Sequence, residues 1–322
     1  MVTILTHLGY LIGLSLDEEY AQRETFLKYE EWMSRDKDHR YIFYLWEDFK
    51  NHVERKLKRS ILPSWSNQLS YVGSSRIDVK RLYTLDAKND FALLLNKYFN
   101  ARRDFIGLHK YEKEEGYEPD AFLNKWLSRF GICDYATIDM DIEGLGITIK
   151  LHKGDKTTLL ADEGYGITQL FSILLEIESA IQNAFHHFLV KNWFGQNYVY
   201  NVNMNTNKVE FPEQTILIEE PEIHLHPKYQ TMLTDMFIEA YELYNIHFII
   251  ETHSEYLIRR LQIKVADKKI PSKDVSVIYV DEGSHPYDMC LKDNGKFKEN
   301  FGPGFFDEAD NAAIQLFELS EE

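Results

Sequence analysis

The segment Ile-Leu-Ile-Glu-Glu-Pro-Glu-Ile-His-Leu-His-Pro covers residues 216–227. Its aliphatic residues read as a buried strand that runs into Glu219, Glu220 and Glu222 around Pro221. Acids at the C-terminal end of a parallel strand sit where α/β sheets hold ligands. A hard divalent ion such as Mg²⁺ takes carboxylate oxygens and keeps several waters. A neighbouring carboxylate can accept a proton from an attacking water. An acidic turn after a core strand would explain the same residues without chemistry. The strand-then-polar-turn pattern recurs at 247–255, where Thr252, His253 and Ser254 follow the apolar run. A histidine there can hydrogen-bond a phosphate oxygen or a water, and Ser254 suits a helix N-cap. A third piece, residues 162–178, places Gly164 and Gly166 at the start of a long apolar helix. Free N–H groups at such a start favour an anion, although a Gly-containing turn before a helix is common.

Several elements must position these residues. Helical spacing of aromatic and aliphatic residues predicts helices over 17–34 and 38–60, with Pro63 ending the second. A short strand is expected at 68–73 and helices near 87–101 and 119–130. Alternation over 135–152 around a Gly-containing turn predicts a β hairpin. From 157 onward, strands at 215–220, 247–252 and 275–281 alternate with helices at 165–190, 226–243 and 255–266. That order implies a largely parallel sheet flanked by helices. The expected division is a helical lobe with a β hairpin over 1–156 and an α/β lobe over 157–322.

Composition narrows the function classes. The chain has 322 residues, 44% hydrophobic and 27% charged, which excludes a disordered tail, a fibre and a membrane bundle. Its net charge of −16 argues against nucleic-acid binding by bulk attraction. Acid concentrates in the second part: residues 1–110 carry net +3 and 111–322 net −19. Contact with DNA would therefore need a local patch among Arg55, Lys56, Lys58, Arg59, Arg76, Lys80, Arg81, Arg102 and Arg103, which could equally be a solvated face. Cys133 and Cys290 lack the spacing of a disulfide framework or a Cys-x-x-Cys site and read as reduced thiols of a cytoplasmic protein. The apolar run 2–16 lacks the basic flank and cleavage site of a signal peptide and reads as a core segment. No apolar run approaches the ~20 residues of a membrane span.

In this order the three pieces resemble the C-terminal part of an ABC-type ATPase head of the SMC-like and OLD-like group of AAA ATPases. The resemblance implies a P-loop NTPase fold, ATP with Mg²⁺ as cofactors, and a dimer in which one head completes the other's site. It makes Glu163–Gln169 the signature, with Gly164, Gly166, Thr168 and Gln169 facing a partner's γ-phosphate. It makes residues 216–222 Walker B, with Glu219 on the Mg²⁺ side and Glu220 as general base. Residues 224–227 resemble the D-loop, and His253 the switch histidine. The loop 71–81, which contains Arg76, and the tail 300–309 resemble segments of one branch of these proteins. Arg76 and Arg81 could serve the phosphates rather than DNA.

One piece is absent. The phosphate-gripping Walker A pattern, Gly-x-x-x-x-Gly-Lys-Ser/Thr, occurs nowhere; Gly295 is the one glycine followed by lysine, and Phe297 comes next. No first β-lobe is evident ahead of residue 17, and Glu219 stands where the family has Asp. The chain is accordingly expected to be a truncation, a split ATPase half needing a P-loop or nuclease partner, or an inactive scaffold module. Genome defence or DNA processing is the role that the resemblance implies. A different class, a metal-dependent hydrolase using His224, His226 and His253, stays open.

Overall fold

The computed structural model describes residues 2–6, 69–74, 80–84, 89–109, 118–141, 146–193, 211–280, 286–302 and 305–320. The expected helices at 17–34 and 38–60, together with Arg55–Arg59 and Arg76, lie outside the described residues.

Strands β1 (Val2–Thr6), β2 (Leu69–Val72), β7 (Gln214–Glu219), β8 (Ile246–Glu251), β9 (Val275–Tyr279) and β10 (Tyr287–Asp288) form one sheet. Its order is β10-β9-β1-β8-β7-β2, and every pairing is parallel except β10 with β9. The interior strands are aliphatic because helices cover both faces of a parallel sheet; Ile216, Ile218, Ile246, Phe248 and Ile250 are all buried. The β1 strand lies in the apolar run 2–16 that reads as a core segment. It fills the slot between β8 and β9, with Val2 beside Phe248 and Val275.

The expected hairpin is present as β4 (Tyr135–Asp141) and β5 (Gly146–Lys153), paired antiparallel. Two short strands, β3 (Tyr83–Thr84) and β6 (Lys156–Leu159), extend this second sheet.

Helices α1 (Asp90–His109) and α2 (Ala121–Arg129) precede the hairpin, and α3 (Tyr165–Trp193) is the central helix. Apolar all round over its first half, α3 buries Leu170, Phe171, Ile173, Leu174, Leu175, Ile177 and Ile181, as a helix enclosed by other elements must. Several of its buried polar residues are satisfied internally. Ser172 and Ser179 donate to the carbonyls of Thr168 and Leu175 at 3.0 and 2.7 Å. Lys97 of α1 pairs with buried Glu176.

Glu178, with no exposed surface, supplies the cap that α2 lacks. Its two oxygens accept the backbone N–H groups of Asp120 and Leu123 at 3.0 and 3.1 Å, and Gln182 donates to it at 2.8 Å. Negative charge at a helix N-terminus is favoured. Asp120, in the left-handed region at φ 66°, accepts from Tyr98 at 2.5 Å and pairs with Arg102. Arg102 is thereby committed to an internal carboxylate, which removes it from the proposed DNA-contacting patch. Burial pushes the Tyr98 hydroxyl up to about 12, so it stays a donor.

Helices α4 (Pro227–Tyr244) and α5 (Glu255–Ala266) flank the sheet and are tied by a bidentate Arg260–Asp235 pair at 3.0 and 2.8 Å. The tail folds onto the β9–β10 edge, where Phe301 and Phe305 stack on each other and meet Tyr279 edge-on, before α6 (Glu308–Ser320). Among the described residues, no helix is long and apolar enough to cross a membrane.

Replacing Glu178 by Ala leaves buried amide donors without an acceptor. A loss of about 2–4 kcal/mol in urea denaturation is expected, with Glu178→Gln costing less. An unchanged urea midpoint in Glu178→Ala would contradict the capping role.

Candidate functional site

The site begins with strand register. Parallel pairing sets Glu219 of β7 directly beside Glu251 of β8, and paired residues on adjacent parallel strands stand on the same face about 4.8 Å apart. The ladder continues one step further, because Glu220 N–H donates to the Glu251 carbonyl at 2.9 Å. There the chain turns out of the sheet. Glu220 has φ 40° and His224 φ 59°, the left-handed region that non-glycine residues rarely enter. Strain of this kind concentrates at functional sites.

The acids differ in their surroundings. Glu219 accepts the Ser74 N–H at 3.1 Å and the Tyr71 hydroxyl. Burial nevertheless pushes its carboxyl above the usual carboxylate range, against those hydrogen bonds and with help from Glu251 and Glu220. Glu222 folds back across the two loops, accepting His253 N–H at 2.6 Å and the Thr252 hydroxyl. Burial raises this carboxyl too. Glu222 thus fastens the loop after β7 to the loop after β8. Ser254 caps α5 by accepting Leu257 N–H at 3.2 Å, which fixes the position of His253. The His253 ring lies 3.1 Å from Glu251 and 3.9 Å from Glu220, Nε2 to carboxylate oxygen.

The signature-like turn meets this loop. A Cβ on Gly166 would lie 2.4 Å from the His224 carbonyl oxygen, so only glycine lets the start of α3 approach the 221–226 turn. A Cβ on Gly164 would meet nothing. The structure therefore brings the three sequence pieces together. Within the turn, Thr168 is buried with its hydroxyl donating to the Tyr165 carbonyl at 2.8 Å. Gln169 is fully buried, and its amide has no partner among the described residues. Arg81 pairs with Asp162 just before α3.

The three-histidine alternative is corrected. His226 caps α4, its Nδ1 accepting Lys228 N–H at 3.2 Å, and His224 is exposed in the turn. Among the described residues the close group of ligating side chains is Glu220, Glu251 and His253. Sequence reading missed Glu251, which looked like the last residue of a buried strand run. Its signal was register: it follows β8 as Glu219 follows β7. The residues present fit a divalent cation, since Glu251 is a buried carboxylate that accepts no aligned hydrogen bond among the described residues.

Residues 27–258 match the family described as AAA ATPase domain. The chain belongs to that family. Solved structures similar to this AAA ATPase domain include the SmcHead bound to the C-winged helix domain of ScpA, at 12% identity and TM-score 0.32 over 62% of this chain. This chain spans 44% of that one. A structure from work on ATP-driven dimerization and DNA-stimulated activation of SMC ATPases matches at 9% identity and TM-score 0.30, covering 71% of this chain and 96% of the other. The Smc head domain of Pyrococcus yayanosii, with a coiled coil and joint, matches at 11% identity and TM-score 0.32, over 96% and 44%. All three scores are under 0.5, and the fold rests on the family match and on the parallel sheet itself. No curated protein matches the sequence.

The adjoining Glu251 carboxylate raises the His253 imidazole above its ordinary 6.5, more than burial lowers it. Protonated His253 therefore stabilises the fold fully below pH 6.5, and that contribution fades as pH rises through the raised folded value. Proton NMR titration of the metal-free chain should give a His253 midpoint above 6.5, brought down by Glu251→Gln. A midpoint at or below 6.5 would contradict the pairing.

Proposed function

We propose that this AAA ATPase domain is an ABC-type head of the SMC-like and OLD-like kind, which binds ATP with Mg²⁺ in a dimer or with a partner chain. The observation that supports it is the convergence, on one sheet edge, of the Glu219–Glu220 strand end, the His253 loop and the Gly166 turn.

In this reading Glu219 holds the cation side of the site, oriented by Ser74 N–H and Tyr71. Glu220, lifted out of the sheet by its left-handed backbone, receives the proton of the attacking water. His253 sits between Glu220 and Glu251, where a developing negative charge would be felt by its ring. Free N–H groups at the start of α3 are the part of the signature turn suited to a partner's phosphate. Bound Mg²⁺ would supply charge neutralisation at the transferred phosphoryl group.

These residues carry no Walker A pattern, so hydrolysis calls for a P-loop from outside them, such as a partner's. The absence also supports a second reading, an inactive scaffold module. A role in genome defence or DNA processing, with a nuclease partner, belongs to the same proposal rather than to the geometry.

The purified chain is expected to turn over Mg-ATP more slowly than ~1 s⁻¹, below the ordinary enzyme range. Adding a P-loop partner should raise turnover, and Glu220→Gln should abolish the gain. Turnover by the chain alone at ~1 s⁻¹ or faster would overturn the requirement for a partner. A partner activity insensitive to Glu220→Gln would favour the scaffold.

A further inference from the structure

Glu251 has no role in the reading above beyond its effect on His253. It is only 5% exposed, and the His253 ring stands 3.1 Å from one of its carboxylate oxygens, Nε2 to Oε1. Glu219 and Glu222, by contrast, each accept a backbone N–H. One Glu222 oxygen, Oε2, is buried in the same region with no partner among the described residues. A buried carboxylate with few partners is costly, and native proteins complete such groups with a partner, a water or an ion.

We propose that Glu220, Glu251 and His253 form a site for a first-row divalent transition metal that fills without nucleotide. Their three ligand atoms, two carboxylate oxygens and an imidazole nitrogen, all lie within 4.8 Å of one another. Ligands about 2.0–2.2 Å from a common ion lie at most about 4.4 Å apart when opposite and about 3 Å apart when adjacent, so closure by up to about 1 Å between the side chains completes the shell. The supports are rigid where rigidity matters. Glu251 ends a central strand, Glu220 N–H is bonded to the Glu251 carbonyl, and the His253 backbone is held by Glu222. The mixed donor set decides the class of ion. Mg²⁺ prefers oxygen ligands and retained waters, whereas an imidazole in the shell suits Zn²⁺ or Fe²⁺, and the two carboxylates also admit Mn²⁺. Binding uses neutral imidazole, so it displaces the ion pair between His253 and Glu251 and weakens in acid. The site does not depend on the ATP reading, because all three ligands come from this chain and no phosphate is required.

The test is a titration of Mn²⁺ into the full chain, stripped of metal and nucleotide, with free Mn²⁺ followed by electron paramagnetic resonance. The expected result is about one Mn²⁺ bound per chain, with affinity lowered about tenfold or more by Glu251→Gln and by His253→Ala. His253 is partly exposed, so its variant tests the site even if the buried substitution disturbs folding. No saturable binding by the unaltered chain would overturn the proposal, as would unchanged affinity in the variants. Mn²⁺ retained only after ATP is added would also overturn it, while leaving the nucleotide reading in place.

Discussion

The pairing of β7 with β8 is the constraint on which the site depends. Two parallel strands in register end in Glu219 and Glu251, so backbone hydrogen bonding forces two carboxylates side by side at a sheet edge. Like charges at strand spacing, partly shielded from water, repel. The surrounding residues answer that repulsion unevenly. Backbone N–H groups and hydroxyls serve Glu219 and Glu222, and His253 stands beside Glu251 and Glu220. This excess of acid at the edge is what makes a cation the natural complement of the site.

The central helix couples that edge to the rest of the molecule. At its N-terminus Gly166 fits against the His224 carbonyl, and one turn further Gln169 is buried. Farther along, Glu176 and Glu178 anchor α1 and α2. The apolar surface of α3 fixes its place, while its buried acids fix its rotation, because each must meet a specific donor. Sliding or turning α3 would break the capping of α2 and open the contact with the 221–226 turn together.

Much of this was legible in the sequence. The β7 and β8 runs, the hairpin and the start of α3 have strong local patterns, and their order carried the family resemblance. What escaped depended on long-range pairing. The β1 strand belongs to an apolar run with no turn signal after Thr6, and its place between β8 and β9 follows only from tertiary contact. Glu251 read as the end of a strand because nothing local distinguishes a ligand from a strand-terminal acid. Arg102 looked available to phosphate because its partner, Asp120, lies across a helix connection. His224 and His226 suggested a metal by spacing, but a turn with positive φ and a helix cap separate their tasks.

The central claim is that strand register sets the Glu219 and Glu251 carboxylates in mutual repulsion at the sheet edge. The direct measurement is urea unfolding of Glu251→Gln against the unaltered chain, at pH 8 in metal-free buffer. Removing the charge of one of two adjacent carboxylates should raise the urea midpoint by relieving that repulsion. A midpoint lowered by the substitution would mean that Glu251 is already well paired within the chain, and would contradict the account.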